Sequence, residues 1–203
     1  EKQVTSEGVT KALPAPFMVV ATENPIEMEG TFPLPEAQLD RFLLKIEMGY
    51  PSKDEEAEIV RRFVNGPSSQ AARHEGTPGD NGVSLALPLE LLQDAVRTVR
   101  LGPEVTSYIL AIVEKTRGHK GLSLGASPRG ALYLARVSRA WAAIHGRDYV
   151  LPDDVKQMSG PCLGHRIIPK VEASLRGKTG RDVVESILNE VPVPVGGDET
   201  LGK

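Results

Sequence analysis

The sequence predicts a mixed α/β segment over residues 1–50, an all-α domain over 51–195 and a tail at 196–203. Three observations predict it. Up to Met48, β-branched and apolar clusters are separated by turn residues. The stretch Gly49-Tyr50-Pro51-Ser52 then breaks the pattern, and beyond it apolar residues recur at helical spacing as far as Leu188.

Taken in order, Gln3-Val4-Thr5 and Val9-Thr10 flank a Ser6-Glu7-Gly8 turn and read as a hairpin. Residues 17–22, opening with Phe17-Met18-Val19-Val20, read as a buried strand that runs into the polar stretch ATENPIEMEG at 21–30. Residues 34–42 suit a short helix with Pro35 near its first turn, and Leu43–Met48 suits another strand. Ser52 is placed to cap a charged helix over 53–64, and residues 65–82 read as a solvated loop. Leu89, Leu92, Val96 and Val99 mark one helix, and Val105, Ile109, Ile112 and Val113 another. A longer helix spans 128–145, with Leu134, Val137, Trp141 and Ile144 on one side. Pro152-Asp153-Asp154-Val155 opens a short helix, and Val183, Val184, Ile187 and Leu188 belong to a last one. No internal repeat is present.

The 203 residues are 40% hydrophobic and 25% charged, with a formal net charge of −3. This is the composition of an ordinary globular chain, and its acidic balance argues against a basic nucleic-acid or membrane-surface module. Cys162 is alone, so neither an intrachain disulfide nor a cysteine-based zinc site is available, which favours a reducing, cytoplasmic location. No apolar stretch reaches the length of a membrane span, and no signal-peptide pattern opens the chain. Its first residue is Glu1, and the sequence there reads like the interior of a longer protein.

Several motifs are incomplete. Gly121-Leu122-Ser123-Leu124-Gly125 matches the G-x-S-x-G elbow of serine hydrolases, but Arg117-Gly118-His119-Lys120 precedes it where a buried strand is required. The expected structure is a glycine-rich loop between helices. Gly177-Lys178-Thr179 resembles the end of a phosphate-binding P-loop, yet Glu172 stands where the leading glycine belongs. It reads as a basic turn before the last helix. The four histidines have no zinc-site spacing, and no metal site is expected. Glu23, Glu27 and Glu29 are either an acid/base cluster or a solvated turn.

Three residues carry more. Asn24, at the end of the expected strand, is either an ordinary turn residue or an amide able to contact a phosphate oxygen and orient a water. Arg41 follows the short helix at 34–42 and is either a surface ion-pair partner or an arginine reaching across a subunit interface to a phosphoryl group. In Ser127-Pro128-Arg129, serine suits an N-cap and proline the first helical position. Arg129 then projects from the first turn, against the usual preference for basic residues at the other end, so either an anion partner lies nearby or the position is incidental.

Together these residues lie in stretches that resemble the MoxR-type AAA+ ATPases, relatives of the magnesium-chelatase ATPase subunit. The likeness runs through Pro16–Glu27, Glu29–Phe42 (with its PLPEAQLDRF run), Gly125–Arg129, Gly146–Val150 and Pro152–Val155. It covers nearly the whole chain, more weakly in 65–82 and after about 170. The resemblance implies an α/β remnant of a P-loop AAA+ core, followed by an all-α lid domain that forms a small helical bundle. It implies that Asn24 is the sensor-1 residue, Arg41 the arginine finger acting on a neighbouring subunit, and Arg129 sensor 2. It also implies ATP and Mg²⁺ as cofactors, a homo-oligomeric ring (a hexamer), chaperone-like remodelling, and von Willebrand factor A partner proteins. The Walker A and Walker B segments of the family are absent from these 203 residues and are expected upstream of Glu1. The chain by itself is therefore expected not to hydrolyse ATP. The competing expectations are a noncatalytic module that caps or regulates rings, and a serine hydrolase built on Ser123.

Overall fold

Residues 3–6, 8–14, 16–23, 34–65 and 88–194 are described in the computed structural model. Asn24, Glu27, Glu29, Glu7 of the hairpin turn, the loop after Asn65 and the tail at 196–203 lie outside the described residues. The chain divides into two units: Glu1–Lys45 with Leu89–Lys203, and Ile46–Pro88.

In the larger unit, β1 (Gln3–Ser6) and β2 (Val9–Ala12) form the expected antiparallel hairpin, with Val4 opposite Lys11 and Thr5 opposite Thr10. Its residues are exposed. The expected buried strand over 17–22 is not formed: residues 17–23 have no strand partner among the described residues, and Phe17, Met18, Val19 and Val20 are all exposed. A strand needs a neighbour for its amides and carbonyls, and apolar β-prone sequence alone does not supply one. The same correction applies to 43–48, which forms no strand. The expected helix at 34–42 contracts to the single turn α1 (Glu36–Leu39).

The core lies in the helices that follow. These are α3 (Leu89–Thr98), α4 (Pro103–Arg117), α5 (Pro128–Ile144), α6 (Pro152–Leu163), α7 (Val171–Ser174) and α8 (Gly180–Glu190), counting α2 (Lys53–Asn65) as the helix of the other unit. Helix α4 buries Val105, Tyr108, Ile109, Ile112, Val113 and Thr116, an i, i+3, i+4, i+7 stripe. Pro103 opens it, and Lys115 and Arg117 lie in its last turn, where they complement the helix dipole. The stripe packs with Leu134 of α5, Val155 and Leu163 of α6, and Val184 and Ile187 of α8. Burying each such side chain contributes about 1.5–3 kcal/mol. On α5, Leu134 and Val137 are buried, Trp141 is partly buried, and Ile144, the last helical residue, is exposed.

The glycine-rich stretch after α4 is not all loop. It contains β3 (Leu122–Leu124), which pairs antiparallel with β4 (Ile168–Pro169) across an irregular register. Gly125 is required there by close approach, since a Cβ would lie 2.6 Å from the Arg117 Cα. The buried Thr116 hydroxyl closes the return by donating to the Val113 carbonyl and accepting from the Ala126 amide.

Between α5 and α6, the buried Asp154 carboxylate takes two hydrogen bonds from Arg147, at 2.6 and 2.5 Å, and one from the Leu151 amide. Burial opposes ionisation of Asp154, but these donors outweigh it and hold the carboxyl below its ordinary range. A parallel bridge between Arg100 and Tyr149 joins the end of α3 to the same connection.

The smaller unit contains α2 (Lys53–Asn65), begun as expected by Ser52. The Ser52 amide and hydroxyl both donate to the Glu55 carboxylate, at 2.8 and 2.7 Å, in a reciprocal cap.

Ile112→Ala is expected to lower the unfolding free energy by about 2–5 kcal/mol in urea titration, because the site is sealed from all sides. Leu132→Ala, at a position that is 62% exposed on α5, is expected to stay within about 0.5 kcal/mol of the parent.

Candidate functional site

The three candidate residues meet different outcomes. Asn24 lies outside the described residues. Arg41 is exposed, in the turn that leaves α1. Arg129 projects from the first turn of α5 and finds an anion there: its Nη1 lies 3.1 Å from the Asp40 carboxylate. The structure therefore brings Arg129 to the residue immediately before Arg41.

The local sequence explains the placement. Pro35 precedes α1, whose single turn closes when the Asp40 amide donates to the Glu36 carbonyl and the Arg41 amide to Gln38. On the other side, Ser127 is the N-cap residue of α5 and Pro128 its first helical residue, as expected. The Ser127 side chain makes no cap bond, however. Its hydroxyl donates to Asp40 at 3.2 and 3.3 Å instead.

A fourth residue, which sequence reasoning missed, holds this arrangement in place. Arg166 follows α6, and its side chain is fully buried. Its guanidinium donates to the carbonyls of Asp40, Phe42, Leu43 and Cys162. It lies over the Tyr133 ring at 4.9 Å, and its Nε stands 3.3 Å from the Asp40 carboxylate. That last approach is an ion pair whose alignment leaves Nε without a hydrogen-bond partner among the described residues. Burial lowers the pKa of Arg166, opposed by the charges around it, and a guanidinium at such a site stays charged. Nearby, the Lys45 amide donates to the Pro161 carbonyl at 2.9 Å, so residues 40–45 are stitched to α6 by polar contacts rather than by a strand ladder. The available signal was Arg166 itself, an arginine placed directly before the apolar pair Ile167-Ile168.

The remaining polar motifs do not build a site. The Ser123 hydroxyl donates to the Ile168 carbonyl between β3 and β4, and no buried strand leads into it. Gly177 adopts φ +74° and turns the chain into α8, where Thr179 and Asp182 satisfy each other's amides. That capping box closes the turn that resembled a P-loop end. Burial pushes the Cys162 thiol up to about 11, so it stays protonated and unreactive. Among the described residues no cluster of His, Cys, Asp and Glu is placed to hold a metal ion.

Comparison with known proteins divides the chain in the same order. Residues 1–44 match the family model described as "ATPase family associated with various cellular activities (AAA)", and residues 114–187 match the AAA lid domain. The uncharacterized protein YeaC of Bacillus subtilis is 42% identical over 96% of this chain and 58% of its own length. Chaperone MoxR1 of Mycobacterium tuberculosis is 36% identical over 96% of this chain and 51% of its own. A crystal structure of a candidate ATPase from Cytophaga hutchinsonii superposes with a TM-score of 0.76 at 34% identity, covering 96% of this chain and 59% of that one. The chain thus spans little more than half the length of these three proteins.

His165 offers a pH test of the packing. Burial lowers its pKa from 6.5, the adjacent Arg166 charge lowers it further, and Lys45 adds to this; the Phe42 and Pro161 carbonyls oppose the shift. Between the lowered value and 6.5 the folded chain binds fewer protons than the unfolded chain. Stability is therefore full above that window, falls as the pH drops through it, and levels off below. Thermal melts from pH 8 to pH 5 are expected to show this slope in the parent and a flatter one in His165→Gln.

Proposed function

Because the chain belongs to the MoxR-type AAA+ ATPases, we propose that it is the end of the α/β core and the helical lid of a nucleotide-driven remodelling protein. In this reading Asn24 is sensor 1, Arg41 is the finger offered to a neighbouring subunit, and Arg129 is sensor 2 on the lid. The subunits form a ring, a hexamer, that acts on client proteins together with von Willebrand factor A partners. The domain limits that go with it are 1–50 for the core segment and 51–195 for the lid.

One observation carries the reading. Helix α5 presents Arg129 from its first turn to an anion, beside the turn that bears Arg41. An arginine at that end of a helix adds to the positive end of the helix dipole and suits a phosphoryl oxygen. ATP and Mg²⁺ are the cofactors of such a protein, but the described residues form no cradle for them. The turn at Gly177-Lys178-Thr179 is closed by Asp182, and no carboxylate cluster is set for a cation. Nucleotide, when bound, supplies the phosphoryl group and needs further segments to hold it. What this chain contributes is the two arginines and the packing that positions them. No helix among the described residues is long and apolar enough to cross a membrane.

The test is made in a full-length protein that carries this chain. Arg41→Ala is expected to lower ATP turnover by about 10³-fold. Mixing it with subunits whose Walker A lysine is replaced should partly restore turnover, because each defect then lies on a different side of an interface. Mixtures that show no recovery would assign Arg41 to its own subunit. The 203-residue chain alone is expected to show no magnesium-dependent hydrolysis.

A further inference from the structure

At the start of α5, the side chains of Ser127 and Arg129 meet a carboxylate from far along the chain, Asp40. Asp40 accepts from the Ser127 hydroxyl at 3.2 and 3.3 Å, from Arg129 Nη1 at 3.1 Å, and lies 3.3 Å from Arg166 Nε. The Ser127 side chain caps no helix amide and makes this contact instead. The buried Arg166 Nε lies 3.3 Å from the carboxylate with its N–H out of line, and so has no hydrogen-bond partner among the described residues. Two guanidinium groups and a hydroxyl therefore converge on one carboxylate, with a donor left over.

We propose that Asp40 is a built-in competitor for the phosphoryl oxyanion: it holds Arg129 in the resting chain and yields it when a phosphoryl group arrives. This rests on the reading of Arg129 as a phosphate-facing residue. The two arginine contacts differ in what breaking them costs. Arg166 is wholly buried and tied to four backbone carbonyls, so it stays with Asp40. Arg129 is 43% exposed and makes a single-point contact, so it is free to exchange. When it leaves, Asp40 keeps a cationic partner and no buried charge is orphaned. Because Asp40 and Arg41 are consecutive, the exchange also loosens one anchor of the Arg41 turn. Occupancy at sensor 2 and the pose of the finger are then coupled through one carboxylate.

The experiment titrates inorganic pyrophosphate into the 203-residue chain and follows the arginine Nε–Hε and aspartate Cγ resonances by NMR. The Arg129 signal is assigned by its loss in Arg129→Ala. In the parent chain, the Arg129 and Asp40 signals should shift together with one apparent Kd. In Asp40→Asn the affinity should rise about fivefold, the worth of one exposed ion pair. Asp40→Glu, which keeps the competing charge, should bind no more tightly than the parent. A shift of Arg129 that leaves Asp40 still, or an unchanged affinity in Asp40→Asn, overturns the competition while leaving Arg129 as an anion ligand. Binding that survives Arg129→Ala, or no binding in any variant, overturns the reading of Arg129 as well. Should Asp40→Asn fail to fold, the paired shifts in the parent chain decide the matter alone.

Discussion

A fully buried guanidinium is the constraint around which this part of the fold is arranged. Arg166 cannot lose its charge, and away from water that charge must be met by oxygen. The chain meets it with the Cys162 carbonyl at the end of α6, the carbonyls of Asp40, Phe42 and Leu43, and the Asp40 carboxylate. All but the first come from one short stretch of irregular backbone. The turn after α1 is thus fixed to α6, with no strand ladder beneath it among the described residues. Once Asp40 is held there, its free lone pairs face the start of α5, and Ser127 and Arg129 close on them. Arg41, the next residue, is carried to the same edge.

The helical part of this fold was legible because it depends on local chemistry. The α4 stripe follows from spacing alone, the start of α2 from the Ser52 cap, and the start of α5 from Pro128 at its first position. What failed depends on partners. Residues 17–22 and 43–48 have strand-like composition, but a strand exists only where another one pairs with it.

The site was half legible. The position of Arg129, contrary to the helix dipole, announced an anion, and an anion is there. Its identity was hidden, because Asp40 lies 89 residues away in sequence. Arg166 was hidden for a different reason: arginine is ordinarily a surface residue, and only its burial shows what it does. The same long-range tie places the turn before Arg41 against the start of α5 and the segment after α6.

The central claim is that the Asp40 carboxylate and the Arg166 guanidinium act as one unit. A double-mutant cycle measures this most directly, with Asp40→Asn, Arg166→Met and the double variant compared by urea unfolding of the 203-residue chain. The account predicts that the two changes are not additive, with a coupling of about 0.5–3 kcal/mol. Additivity within about 0.3 kcal/mol would contradict it, leaving the backbone carbonyls as the whole anchor of the turn.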